Sequence, residues 1–376
     1  MRRFGPGLML LALAACHAAP PPSAPASAPA PSAPVPAAPA ASRLAFEAHD
    51  TALDGYRFRD GETLPSLRIH YSTIGSPRRD AAGAITNAIL LLHGTSGSSA
   101  SLQTPEFVSS LYDPGKPLDA SRYYLVFVDN VGHGRSSKPS DGLHARFPRY
   151  GYRDMIDLQH RVVTETLGIT HLRAVIGTSM GGMHAWLWAE AYPEEVDGIM
   201  PVASLPTRIA GRNLLWRRIV ARSIRTDPAW KGGEYTQPPR GWLEAFPVFR
   251  MMLDGVPHLQ ATLPDRAAAD ALIEGAVEQA RTMDANDVLY ALESSEDYDP
   301  EPELDRIKAR VFALNFSDDE INPVALRTLD RLTPKVAAAR FVVQPGTEQS
   351  FGHLTLAHPA LWADRVGDFL RGLGEP

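Results

Sequence analysis

The chain has 376 residues and a formal net charge of −6, with 44% hydrophobic and 21% charged residues. That mix supports a large core and excludes global disorder, and the negative balance excludes the basic surplus of a nucleic-acid binder. A single Cys excludes an internal disulfide and a Cys-rich zinc site.

At the N-terminus, Arg2 and Arg3 precede a short apolar run, the layout of a secretory signal over residues 1–15. The run is too short to span a bilayer, which takes about 20 apolar residues. It ends on Leu13, Ala14, Ala15 and Cys16, which resembles a bacterial lipobox. The resemblance implies that Cys16, the only Cys, carries a lipid. It makes the protein an exported lipoprotein, facing the periplasm or the cell surface from its membrane anchor. Residues 16–42 are otherwise almost entirely Ala, Pro and Ser, with nine of the 33 prolines between Pro20 and Pro39. Such a segment has no apolar face to bury and favours extended polyproline II. At ~3.1 Å per residue it reaches roughly 80 Å, which suits a tether.

From residue 43 onward, short apolar runs alternate with helical patterns. Strands are expected at Ala88–Leu92, Tyr123–Asp129, Leu172–Gly177, Gly198–Ser204, Ala309–Asn315 and Arg340–Gln344, with helices such as Arg153–Leu167 and Met180–Tyr192 between them. This alternation predicts a mostly parallel sheet covered on both faces by helices. It breaks over residues 205–306, where helix-like runs such as Asn213–Ile224 and Arg266–Arg281 predict a helical lid inserted into the domain. The expected core is therefore 43–204 joined to 307–376.

The sharpest motif runs Gly177, Thr178, Ser179, Met180, Gly181, Gly182. It follows an expected strand and opens an expected helix, the context of the nucleophile elbow of the α/β-hydrolase fold. Ser179 is the expected nucleophile. In that fold the acid and then the His follow the nucleophile in the chain. Ten of the twelve His residues lie before or within the expected lid. Of the two that remain, His353 directly follows the loop leaving the last strand, whereas His358 precedes Pro359 at a helix start. His353 is the expected base. Among the neighbouring Asp318, Asp319 and Glu320, Asp319 stands four residues before Pro323, the usual spacing in this fold, with Asp318 the alternative. Two backbone N–H groups should hold the oxyanion: that of Met180, and that of Thr95 or Ser96 in the turn after His93 and Gly94. The closely spaced glycines of Asp129–Ser137 lack the G-x-G-x-x-G spacing of a dinucleotide loop and read as a structural turn. No pattern asks for a metal or cofactor.

The stretch Phe147–Val196 is similar to the homoserine O-acetyltransferase branch of the α/β-hydrolases, as is the lid segment with Asn213, Arg217, Asp227, Pro228, Trp230, Gly233 and Tyr235. The resemblance covers about residues 45–376. It implies a Ser179, Asp319, His353 triad, and it places the lid arginine that holds the substrate carboxylate at Arg217. Three positions depart from that branch. Leu354 stands where acetyltransferases carry an Asp after the catalytic His. Thr178 replaces a Gly, and the turn Val131–Ser137 is that of ordinary hydrolases. With the export signal, these departures favour an ester or acyl hydrolase working through an acyl-serine on a small-molecule substrate. Acyl transfer to an alcohol is the alternative, and a non-catalytic binding protein of the same fold is the second.

Overall fold

The computed structural model describes residues 44–374; the signal, Cys16 and the linker expected from the sequence lie outside the described residues. An eight-stranded sheet organises the chain in the order β1-β2-β4-β3-β5-β6-β7-β8. Its strands are β1 (Glu47–Arg57), β2 (Thr63–Ile74), β3 (Ala88–Leu92), β4 (Tyr124–Val128), β5 (Ala174–Thr178), β6 (Gly198–Val202), β7 (Arg310–Phe316) and β8 (Ala339–Gln344). β1 pairs antiparallel with β2, and β2 antiparallel with β4; every other pairing is parallel. All six expected strands are present. The antiparallel pair β1 and β2 was not expected.

The central strands are short apolar runs because both of their faces are covered. In β3, Ala88, Leu90 and Leu92 pack into one core layer, while Ile89 and Leu91 pack into the other. The same alternation in β4 sends Val126 and Val128 to the first layer and Leu125 and Phe127 to the second. This is the period-two rule of a strand applied to a sheet buried on both sides.

Helix Met180–Ala191 runs from the end of β5 and is buried almost all round, as expected for the element wedged directly under the site. Helix Ala363–Leu373 is amphipathic and seals the second layer with Val366, Phe369 and Leu370.

Between β6 and β7 the chain is helical, with helices Gly211–Thr226, Arg240–Leu253, Val256–Thr262, Arg266–Arg281 and Ala285–Glu293. This insertion has its own apolar cluster, built on Trp216, Ile224, Trp242, Phe246 and Leu289. It is also tied to the core by polar contacts. Ser140 donates from its backbone N and its Oγ to Asp287, at 2.9 and 2.7 Å. Tyr152 and Arg153 donate their backbone N–H groups to Asp297 at 2.9 and 3.0 Å.

Candidate active site

Ser179 sits between β5 and its helix with φ 53° and ψ −113°. A non-glycine residue held there costs of order 1–3 kcal/mol and persists only where its surroundings enforce it. The neighbouring glycines do the enforcing. A Cβ on Gly177 would lie 2.0 Å from the Gly181 carbonyl oxygen, and one on Gly181 would lie 2.2 Å from that of Leu92. The turn therefore closes only with glycine at both positions, and closing it lifts Ser179 above the strand ends.

His353 Nε2 lies 2.8 Å from Ser179 Oγ, and His353 Nδ1 lies 2.8 Å from Asp319 Oδ2. An ionised carboxylate only accepts hydrogen bonds, so the imidazole proton sits on Nδ1. Nε2 then has a free lone pair for the Ser179 hydroxyl. Asp319 also accepts from the backbone N of Ile321 at 2.8 Å and of Asn322 at 3.1 Å, and from Asn322 Nδ2 at 3.0 Å. Its burial raises the carboxyl pKa. The charge of His353 and the hydrogen bonds from His353 and Asn322 outweigh that and leave it below the ordinary value.

Asp318, the alternative acid, faces elsewhere. Its Oδ2 accepts from Ser350 Oγ at 2.7 Å and from Gly352 N at 3.0 Å. It fastens the loop that carries His353. His358 stacks on Phe351 with ring centroids 4.2 Å apart and faces Glu106 at 3.3 Å, away from Ser179.

The turn Gly94–Gly97 lies against the elbow: a Cβ on Gly94 would stand 3.5 Å from the Ser179 Cβ. The Gly94 carbonyl accepts from Gly97 N at 3.1 Å and from His93 Nδ1 at 2.9 Å. His93 Nε2 faces the Asn130 backbone N–H at 3.2 Å, so the ring proton is fixed on Nδ1. In a trans peptide the N–H points opposite to the C=O, so His93 sets the direction of the Thr95 N–H. Met180, whose amide is the other expected donor, opens the helix after Ser179.

Arg217 comes from helix Gly211–Thr226 and is 5% exposed. It donates to Asn213 Oδ1 at 3.0 Å, to Ser295 Oγ at 3.3 Å and to the Leu292 carbonyl at 3.4 Å, and it lies over the Trp216 ring. No carboxylate pairs with it among the described residues. Burial lowers its pKa, yet a guanidinium stays charged in proteins. Beside it and Thr95 stands the fully buried Tyr152 hydroxyl.

Three cavities flank this arrangement. A narrow one of about 30 Å³ is walled by Thr95, Ser96, Trp216, Val220, Trp242 and Phe249. A second of about 400 Å³ holds Arg217 beside Ser295 and Tyr298. A third of about 560 Å³ lies over Met183, Leu205 and Asn322. None of the three is lined by Ser179 or His353; the narrow one reaches the site through Thr95 and Ser96. The structure thus gathers Ser179, His353 and Asp319 into one hydrogen-bonded line with the Thr95 turn against it, while Arg217 stands nearby in the insertion. Sequence reasoning missed Asn322, His93 and Tyr152. The position of Asn322, between Asp319 and Pro323, was the one available signal.

The fold and this line of residues define an α/β-hydrolase-fold enzyme. The family model for the alpha/beta hydrolase fold matches residues 87–353, and the chain belongs to that family, on its homoserine O-acetyltransferase-like side. It is 27% identical over 323 residues to a "Probable acyltransferase" of Methanothermobacter thermautotrophicus, covering 85% of this chain and 96% of that one. It is 28% identical over 361 residues to a homoserine O-acetyltransferase of Rhodospirillum rubrum, covering 85% and 90%. Among solved structures, an acetylester hydrolase from Corynebacterium glutamicum superposes with a TM-score of 0.74 at 19% identity, covering 86% and 96%. That likeness speaks for the fold.

Proposed function

We propose that the protein moves a small acyl group from an ester or thioester to an alcohol through an acyl-serine intermediate. The hydrogen-bonded line from Ser179 through His353 to Asp319 carries this reading. Ser179 Oγ attacks the acyl carbon as His353 Nε2 takes its proton. Asp319 keeps the proton of Nδ1 in place and stabilises the imidazolium. The Met180 and Thr95 amides receive the oxyanion. His353 then protonates the leaving group and, in the second half, deprotonates the acceptor that frees Ser179.

The narrow cavity beside Thr95 supports a small acyl group. A water needs ~10–15 Å³ of such space, so about 30 Å³ fits an acetyl-sized tail and little more. Buried Arg217, without a carboxylate of its own, supports an acceptor that carries one. The similarity to named acyltransferases points to acyl transfer rather than hydrolysis.

One observation favours water as the acceptor instead. Leu354, half-buried beside His353, offers no charge to an amino group. The reading includes export by a lipid on Cys16, supported by the sequence of residues 1–42. Purified protein given an aryl acetate, and then acetyl-CoA with homoserine, separates the two acceptors. Formation of O-acetylhomoserine faster than free acetate supports transfer, and acetate alone supports hydrolysis.

A further inference from the structure

The Gly-rich turn Asp129–Ser137 carries a second buried imidazole, and it also reaches the Thr95 turn. His133 Nε2 lies 3.0 Å from the Thr95 carbonyl oxygen, and its Nδ1 lies 3.1 Å from that of Val131. Both ring nitrogens thus face acceptors. Burial, helped by neighbouring His93, lowers the His133 pKa to about 4, so at neutral pH the ring has one proton for two carbonyls. The Val131 contact joins residues two apart in the same turn. The Thr95 contact joins two loops 38 residues apart.

The peptide that ends in the Thr95 carbonyl carries the Ser96 N–H, pointing the other way. His93 holds the preceding peptide, which carries the Thr95 N–H. The first two peptide planes of the turn are therefore each gripped from behind by one imidazole, and His133 is itself anchored. Asp129 accepts from Ser99 N at 2.6 Å and from Arg135 N at 2.7 Å, binding the two loops together on either side of it.

We propose that His133 is a positioning residue for the oxyanion turn, donating Nε2–H to the Thr95 carbonyl and so fixing the Thr95–Ser96 peptide, which holds the ψ of Thr95 and with it the neighbouring peptide that presents the Thr95 N–H. The inference rests on the acyl-serine reading above. Oxyanion donors act only if they are aimed before the reaction begins. Losing His133 should therefore weaken binding of the tetrahedral state while leaving ground-state binding alone.

The chemistry of the ring allows an atom-level test. A Gln amide nitrogen takes the place of Nε2, and an Asn amide nitrogen that of Nδ1. His133→Leu, His133→Gln and His133→Asn are compared with wild type on an aryl acetate, with a boronic acid as tetrahedral analogue and thermal unfolding as the control for folding. We expect His133→Leu to lower kcat and boronate affinity by roughly tenfold, a fraction of the 100- to 1,000-fold seen on losing a donor outright, with KM nearly unchanged. His133→Gln should recover most of this and His133→Asn should not. Recovery by Asn instead of Gln, wild-type kcat in all three, or a loss confined to KM would overturn the proposal. Ser179→Ala runs in parallel: if it stays active, the acyl-serine reading itself fails. If it is dead while His133→Leu is fully active, only the role of His133 fails.

Discussion

Asn322 binds Asp319 twice, its backbone N–H reaching Oδ1 at 3.1 Å and its side-chain amide reaching Oδ2 at 3.0 Å. The same side chain donates to the Ala203 carbonyl at 2.8 Å. One amide thus fixes the carboxylate that follows β7 to the end of β6, and it favours the charged form of Asp319.

Replacing Asp319 by Asn should leave the imidazole in the wrong tautomer and lower kcat by about 10⁴-fold. Asp318→Asn should cost far less in kcat and show mainly as a lower melting temperature, because Asp318 holds the Ser350–Gly352 loop. Asn322→Ala should lie between the two. Losing its side-chain hydrogen bond, with the backbone one kept, raises the Asp319 pKa, so the acid limb of the pH–rate profile moves to higher pH. Steady-state kinetics across pH on the three variants checks the order.

Acyl size should be set by the insertion. Phe249 stacks on Trp216 with ring centroids 4.4 Å apart, and both wall the narrow cavity. Phe249→Ala should raise the ratio of kcat/KM for butyrate over acetate esters by roughly tenfold, since one methylene is worth about 10- to 200-fold in a fitted pocket. A series of aryl esters of increasing chain length measures it.

Asp287 makes stability pH-dependent in a defined window. Burial pushes its carboxyl from 3.8 up to about 6, despite the two hydrogen bonds from Ser140. With the folded value above the unfolded one, its contribution to stability is fully present below pH ~4. That contribution is lost as pH rises towards ~6 and is constant beyond, a change of about 3 kcal/mol at most. Urea midpoints at pH 4 and pH 7 should therefore fall less with rising pH in Asp287→Asn than in wild type.

How much of this was legible follows from how each element is buried. The parallel strands β3, β4, β5, β6 and β7 could be read because each is an apolar run covered on both faces, and the half-buried β8 because Phe341, Val342 and Val343 still form a short apolar run. β1 could not, because it lies antiparallel at the sheet edge and most of Glu47–Arg57 is exposed. The elbow was legible because close backbone packing leaves no choice but glycine at Gly177 and Gly181. Between Asp318 and Asp319, adjacent in one loop, only the backbone path decides which carboxylate meets His353. Arg217 is one of five arginines in helix Gly211–Thr226, and nothing in its spacing marks it as buried without a carboxylate. His133 was hidden inside a turn that looks purely structural.

The anchor has a separate test. Cys16→Ser should move the protein from the membrane fraction to the soluble fraction of cells and leave esterase activity per molecule unchanged. Continued membrane association would remove the lipid from the account.

The central claim is that Ser179 carries the acyl group. Protein mixed with an aryl acetate, quenched in acid during the first turnover and digested should yield one acetylated peptide by mass spectrometry. The acetyl should map to Ser179, and it should be absent from Ser179→Ala. An acetyl elsewhere, or turnover with no covalent adduct and full activity in Ser179→Ala, would contradict the account.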